Sequence, residues 1–513
     1  MGSITAAAAV LLRPQNWPGS IWILLLATLV TGFFQVLCRP SLPKNAPKWF
    51  KTGDWPILGT LRFYKTRADW YREAIRNSPT GSFSFYIGKK QIIGLSGPEG
   101  RKTFYENRDL NFNDGFAELL TGQPAATAEA DNFSQVFSKA LVLMMRKESL
   151  DRILVTLKGD TRRACEALAA AAPSRADRGW MVTDPFESIY RIVYQLTMRT
   201  VGAEDISEDP ALLRSTLAIF EWFEKSESTA KVVFPWLPTP NHLIRMYNGV
   251  RLAMVFQNIV EKRRRTGKRG DDSLQNLIDQ GLGIRDIVAF VIGALYAGQL
   301  NSGINAAWVQ VYLATNPEWY ARVRAEVDGV VARHRRDDAA AADVLDTLTM
   351  DDWEAEFPLV DLCLRESIRL SMPGTSFRKN KSGRDIPIGN TGEVIPDGAF
   401  AAYLVDDVLL NEEWYTEPRR FDPGRFFEDR AEDKKVPHGY VGWGSGRHPC
   451  LGMRFARLEM ALIAAYFVVL FDFELSDRYG NPSAEAPEPV SRNFHSAKKP
   501  PHPIYLRYKT RVS

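Results

Sequence analysis

One cysteine constrains this chain more than any other residue. Cys450 sits in Trp443-Gly-Ser-Gly-Arg-His-Pro-Cys450-Leu-Gly452, directly ahead of a long apolar segment with helical spacing. A cysteine in a glycine-rich loop at a helix start is a setting for anionic sulfur. The macrodipole and free N–H groups of that terminus favour a thiolate over a thiol. The competing reading is a small buried hydrophobe in a turn, so support has to come from elsewhere in the chain.

The other cysteines do not supply it. Cys38, Cys165 and Cys363 form no C-x-x-C pair and no dense framework with Cys450, which points away from a zinc site or a disulfide scaffold. The 513 residues are 45% hydrophobic and 25% charged, a globular composition with ample length for a large core. A net charge of +4 is too small to argue for nucleic acid.

The N-terminus reads differently. Ser20 to Cys38 carries no charge, and about 20 apolar residues span a bilayer core. Arg13 precedes this stretch, whereas Arg39, Lys44, Lys48 and Lys51 follow it, so the positive-inside bias places the remainder in the cytosol. A cleaved signal peptide is the alternative; it would have a shorter apolar region and a small-residue cleavage site. The expected organisation is a membrane anchor over 1–38, a stiff proline-rich linker over 39–56 and one catalytic domain over 57–513.

Within that domain, helices are expected near 67–77 and 97–107, with a hairpin between them made by Ser82–Gly88 and Gln91–Leu95. From about 133 to 335 the pattern is helical, with breaks near Pro173, Pro210, Pro235–Pro240 and the basic run 262–272, which reads as a solvated loop. Turns and short strands fill about 373–410. The fold class is mainly α with a small β-rich part.

The Cys450 loop resembles the haem-binding signature of the cytochrome P-450 family: aromatic, Gly, any, Gly, any, His or Arg, any, Cys, any, Gly. Trp443, Gly444, Gly446, His448, Cys450 and Gly452 occupy those places, with Trp443 where Phe is usual. Upstream, Glu366-Ser-Ile-Arg369 has the spacing of the family's E-x-x-R motif, and an i, i+3 pair shares one helix face. Phe421-Asp-Pro-Gly-Arg425-Phe426 resembles the loop whose Arg locks that pair, with Gly424 where Glu is common. The resemblance implies the cytochrome P-450 fold and haem b (iron protoporphyrin IX) with Cys450 as its axial thiolate. A thiolate pushes electron density onto iron and favours O–O cleavage. It also implies Glu366, Arg369 and Arg425 as structural support. His448 and Arg378 would hold propionates, with Arg146 and Lys147 as further candidates. Trp443, Gly444, Gly446, Gly452 and Gly298 would line the haem.

The central helix departs from the family's pattern. Its motif of Ala or Gly, Gly, any, acid, Thr, alcohol reads here Ala297, Gly298, Gln299, Leu300, Asn301, Ser302. Leu300 replaces the acid and cannot carry a proton. Asn301 replaces the alcohol. Gln299, Asn301 and Ser302 are the candidate catalytic residues, set against the reading that Asn301 and Ser302 only satisfy a kink. Ala-Gly-Gln resembles the sterol 14-demethylase branch, and Gln-x-Asn the branch of bile-acid hydroxylases and prostacyclin synthase.

Three functions follow as expectations. One is an endoplasmic-reticulum monooxygenase of fungal natural-product type, single-pass, with a cytosolic catalytic domain. It would oxidise a hydrophobic, terpenoid- or steroid-like or other secondary-metabolite substrate. Its electrons would come from NADPH–cytochrome P-450 reductase or cytochrome b5. The second is a haem-thiolate isomerase or dehydratase that uses a peroxide and no reductase. The third is a non-enzymatic membrane haem-binding protein. Arg447, Arg454, Arg457, Lys434 and Lys435 cluster around the Cys loop, and a basic face would suit an acidic flavoprotein.

Overall fold

The structure, a computed structural model, describes residues 17–119, 130–170, 179–226, 230–234 and 237–511. Pro173 and Pro235, two of the expected breaks, lie outside the described residues.

The uncharged N-terminal stretch is helix α1 (Gly19–Leu37, 19 residues), about 28 Å long. Ile21, Trp22, Ile23, Leu24, Leu26 and Val30 are exposed along it. Among the described residues, the helix that by length and apolarity could cross a membrane is another one, Ile284–Thr315, and 67% of its apolar window is buried inside the protein. That helix is core.

Residues 39–56, expected as a stiff linker, are docked on the sheet. Arg39 pairs with Asp54 at 2.7 Å, and Tyr86 Oη and Ser84 Oγ donate to the Pro40 and Pro47 carbonyls at 2.6 Å each. The Phe50 N–H donates to the Ser84 carbonyl at 2.9 Å. The prolines have no N–H of their own, so the neighbouring strand supplies the donors.

The expected hairpin is β1 (Phe83–Ile87) paired antiparallel with β2 (Lys90–Leu95). Helix α2 (Gly97–Glu106) and strand β3 (Leu110–Asn111) follow. Two later strands, β4 (Thr375–Asn380) and β5 (Phe400–Leu404), complete a seven-stranded sheet. β5 lies between β2, to which it is parallel, and β4, to which it is antiparallel. All five residues of β1 and all five of β5 are buried, so neither strand alternates. The sheet packs on both faces.

The helical body comprises α3 (Phe112–Leu119), α4 (Lys147–Ala169), α5 (Pro185–Val201), α6 (Pro210–Lys225), α7 (Pro240–Thr266), α8 (Ile284–Thr315), α9 (Pro317–His334), α10 (Pro358–Ser371) and α11 (Met453–Leu470). The breaks expected at Pro210 and Pro240 are helix starts, where a fixed φ and a missing N–H cost nothing. α8 is apolar on nearly every side and is buried along most of its length, as an all-round apolar helix must be. It packs against α5, α10 and α11.

The basic run 262–272 is not simply a solvated loop. α7 continues to Thr266 and stops at Gly267, whose φ is +68°. Arg263 turns inward, buried, onto Asp205 and Asp272. Two carboxylates offset its desolvation; the other basic residues of the run stay outside.

Candidate active site

Between α8 and the loop ahead of α11 lies a cavity of about 1280 Å³. The loop is folded back on itself, with Gly444-Ser445 paired antiparallel to His448-Pro449. Gly446 has φ +60°, and a Cβ there would sit 2.3 Å from the Tyr105 carbonyl oxygen. The Arg447 N–H donates to that same carbonyl at 3.2 Å, and the Cys450 N–H to the Trp443 carbonyl at 2.7 Å. Gly444 is also left-handed, at φ +69°. Gly452, the residue before α11, meets no protein atom within 4 Å of an added Cβ, and it lines the cavity.

Cys450 is the single cysteine on the cavity wall, and its exposed surface faces that space. Burial by the surrounding chain pushes its thiol up, while the Gly452 N–H pulls it the other way and does not win. Coordination to a cation deprotonates a thiol outright.

Behind the loop, Glu366 and Arg369 of α10 form a bidentate pair at 2.8 Å and 2.8 Å. Arg425 donates from Nε to Glu366 Oε1 at 2.9 Å and from Nη1 to Glu432 at 2.6 Å. The side chains of Glu366, Arg369 and Arg425 are all 0% exposed. Arg369 also donates to the Leu409 carbonyl at 2.7 Å, and the Asp422 N–H donates to Glu366 at 3.0 Å. Glu432, the fourth member, has no place in the sequence motif; Arg430 bridges it to Asp422.

One wall of the cavity is cationic. Arg378 on β4 is 3% exposed, donates from Nη1 to the Phe377 carbonyl, and leaves Nε with no partner among the described residues. Burial pulls its pKa down to about 10. His448 stacks on Phe112 with ring centroids 5.4 Å apart. Burial, then Arg378 and Arg447, lower it to about 4. Arg146 and Lys147 do not belong here: neither lines the cavity, and Lys147 pairs with Asp351.

α8 also lines the cavity, through Gly298, Leu300, Asn301, Ser302 and Asn305 among others. Asn301 Nδ2 donates to the Ala297 carbonyl one turn back at 2.8 Å, and α8 continues unbroken through it. Gln299 is a correction. It is fully buried outside the cavity and donates to the Tyr190 carbonyl at 2.8 Å, tying α8 to α5. One residue is about 100° of helix rotation, and that carries Gln299 off the cavity face. Asn305 accepts from Ser371 at 2.6 Å and joins α8 to α10. Glu459 of α11 also lines the cavity, fully buried. Neither residue was singled out from the sequence.

The cytochrome P-450 family model matches residues 51–501. The chain belongs to the cytochrome P-450 family. It is 33% identical over 473 residues to the cytochrome P-450 monooxygenase AacuE of Aspergillus aculeatus, covering 90% of this chain and 93% of that one. It is 30% identical to the monooxygenase nsrP of Aspergillus novofumigatus, covering 90% of each. Obtusifoliol 14-alpha demethylase of Triticum aestivum is 30% identical over 82% of this chain and 91% of its own length. The chain is thus a cytochrome P-450 monooxygenase, an enzyme whose family carries haem b on a cysteine thiolate and works with redox partners on hydrophobic substrates. The residues present fit that cofactor: one cavity is lined by a cysteine, by an apolar α-helix and by a buried arginine whose Nε has no partner among the described residues.

Proposed function

We propose that Cys450 is the axial haem ligand of a monooxygenase that oxidises a large, polycyclic hydrophobic substrate with dioxygen and reductase-supplied electrons. The observation that carries this is the single cysteine on the wall of a cavity that the Asn301 turn of α8 also lines, on a loop braced by a buried Glu366–Arg369–Arg425–Glu432 network. Haem, when bound, supplies dioxygen activation.

The chain's own residues do the rest. Arg378 and His448 would hold the propionates; a carboxylate gives the stranded Arg378 a charge-assisted partner. Gly444 and Gly446, both left-handed, let the loop that carries Cys450 fold back on itself. Phe112, Phe116, Phe137, Leu141 and Tyr296 line the cavity and would gather an apolar substrate while excluding water. Asn301, its amide nitrogen tied to Ala297, keeps Oδ1 available to accept a hydrogen bond from a water. A terpenoid- or steroid-like class agrees with the cavity's size and with the likeness to a protein named sterol 14-demethylase.

The relatives' names favour the monooxygenase over a reductase-independent isomerase. α1 would anchor the enzyme in the endoplasmic-reticulum membrane. Lys434, Lys435 and Arg447 are exposed and would meet an NADPH-dependent reductase, whereas Arg454 and Arg457 are paired with Glu354 and Asp361.

The test is reconstitution with reductase and NADPH against candidate sterols, terpenoids and other polycycles, read by mass spectrometry. The wild type should show the thiolate-type ferrous–CO band and Cys450→Ser should lose it. Retention of the band in the variant refutes Cys450 as ligand. A peroxide substrate that is isomerised or dehydrated without NADPH, while no candidate gains an oxygen atom from dioxygen, refutes the oxygenation.

A further inference from the structure

Two residues on the cavity wall carry a buried polar atom with no hydrogen-bond partner among the described residues: Thr375 at Oγ1 and His495 at Nδ1. Thr375 opens β4 and is 7% exposed. Side chains two apart on a strand share a face, so Thr375 points as Phe377 does. The Phe377 ring lies 6.1 Å from that of Phe63 and 5.7 Å from the Arg67 guanidinium. His495 reaches the same corner. Its ring lies 5.7 Å from that of Tyr64, and it feels the Arg67 charge. The two chain segments also touch: Gly374, at φ +141°, would put a Cβ 2.9 Å from the His495 carbonyl oxygen. Buried polar groups are nearly always hydrogen-bonded, and leaving one unpaired is costly.

The chemistry of the pair selects its ligand. The Thr375 hydroxyl both donates and accepts. Burial, then Arg67 and Lys498, lower His495 to about 3 against an opposing backbone contact from Tyr64. At neutral pH its ring is therefore uncharged, with one nitrogen donating and the other accepting. A carbonyl, an ether or a carboxylate only accepts. An ammonium group only donates, and it would meet the Arg67 and Lys498 charges. A hydroxyl does both, so it suits the threonine and either ring nitrogen, whichever carries the proton. We infer that Thr375 and His495 form a hydroxyl-binding subsite, and that the substrate is a polycycle carrying a hydroxyl group into it. The inference rests on the polycyclic substrate proposed above and narrows it. The hydroxyl donates to one partner, accepts from the other, and so fixes how the ring system lies in the cavity.

The test is equilibrium binding to the haem-loaded full chain, read as the shift of the haem absorption band on titration. The probes are epiandrosterone, estrone and 1-hydroxypyrene, each set beside its methyl ether and its deoxy form. The first carries an alcohol and the other two a phenol. The wild type should bind at least one hydroxylated form about 10- to 100-fold more tightly than its ether and deoxy partners. Thr375→Val, which exchanges the hydroxyl for a methyl group of similar size, should reduce that preference to less than about 3-fold, and so should His495→Phe. Hydroxyl, ether and deoxy forms that bind the wild type alike, or a preference that survives in either variant, overturn the subsite alone. If none of the nine compounds shifts the band, the polycyclic substrate falls and the subsite with it. Should H495F not load haem, T375V decides.

Discussion

Replacing Glu366 by Gln should release the proximal wall, and the structure sets the size of the effect. The Glu366 carboxylate takes two hydrogen bonds from Arg369, one from Arg425 and one from the Asp422 N–H. Glutamine keeps the shape but turns an NH₂ toward a guanidinium and removes one of two carboxylates facing two fully buried arginines. Arg369 is then stranded, because Glu432 serves Arg425 and Arg430. Breaking a buried pair by removing one partner costs about 3–5 kcal/mol, a factor of roughly 100 to 4000 in the equilibrium between held and released. Arg425→Met should cost less, about 1–3 kcal/mol. It leaves Glu366 paired with Arg369 and Glu432 with Arg430. Haem content per polypeptide and the urea midpoint of the purified enzymes should both fall in the order wild type, R425M, E366Q. E366Q with full haem and a native midpoint, or milder than R425M, refutes the stranded-charge reasoning.

Gly446→Ala puts a Cβ at 2.3 Å from the Tyr105 carbonyl at a φ of +60°, and should cost about 2–5 kcal/mol; a native urea midpoint contradicts this. Arg378→Met should speed haem loss to a haem-scavenging apoprotein by about 10- to 150-fold while leaving the apoprotein no less stable, since it removes a buried charge without an anion; an unchanged loss rate counts against Arg378 as a propionate partner. His495, on the cavity wall, is lowered to about 3 by burial, then by Arg67 and Lys498. Only the unfolded chain binds that proton between about pH 6.5 and that value. Stability is therefore full above about 6.5 and falls by about 1.4 kcal/mol per pH unit below it. Urea unfolding of His495→Gln between pH 6.5 and 4.5 should show a slope smaller by that amount, and an equal slope refutes it.

What the sequence disclosed followed chain spacing. The Cys450 loop, the Glu366–Arg369 pair and Arg425 are short-range patterns, and the structure brings the last three together. The hairpin and the helices near 67–77 and 97–107 carry periodicity, and they form. What stayed hidden depends on packing between distant segments. Glu432 lies in a run of charges that reads as surface, yet it is buried because Arg425 turns toward it. Glu459 is one acid in an apolar helix, and nothing local says that it meets Ser302, more than a hundred residues earlier in the chain. Gln299 belongs to the same central-helix motif as Asn301 and Ser302, but helix rotation turns it onto α5. The proline-rich stretch 39–56 reads as a stiff linker from its composition, and its docking depends on donors from β1, far along the chain.

That docking has a mechanical consequence. Arg39 is clamped to Asp54 and the Pro40 carbonyl is held by Tyr86, only two residues beyond the end of α1. The slack between α1 and the catalytic body is therefore a hinge of a few bonds, not a leash of eighteen residues. Whatever surface α1 is fixed to, the body swings about one pivot and keeps a preferred heading. Turning that bracket into a tether would take the loss of the Tyr86, Ser84 and Phe50 bonds together with the Arg39–Asp54 clasp.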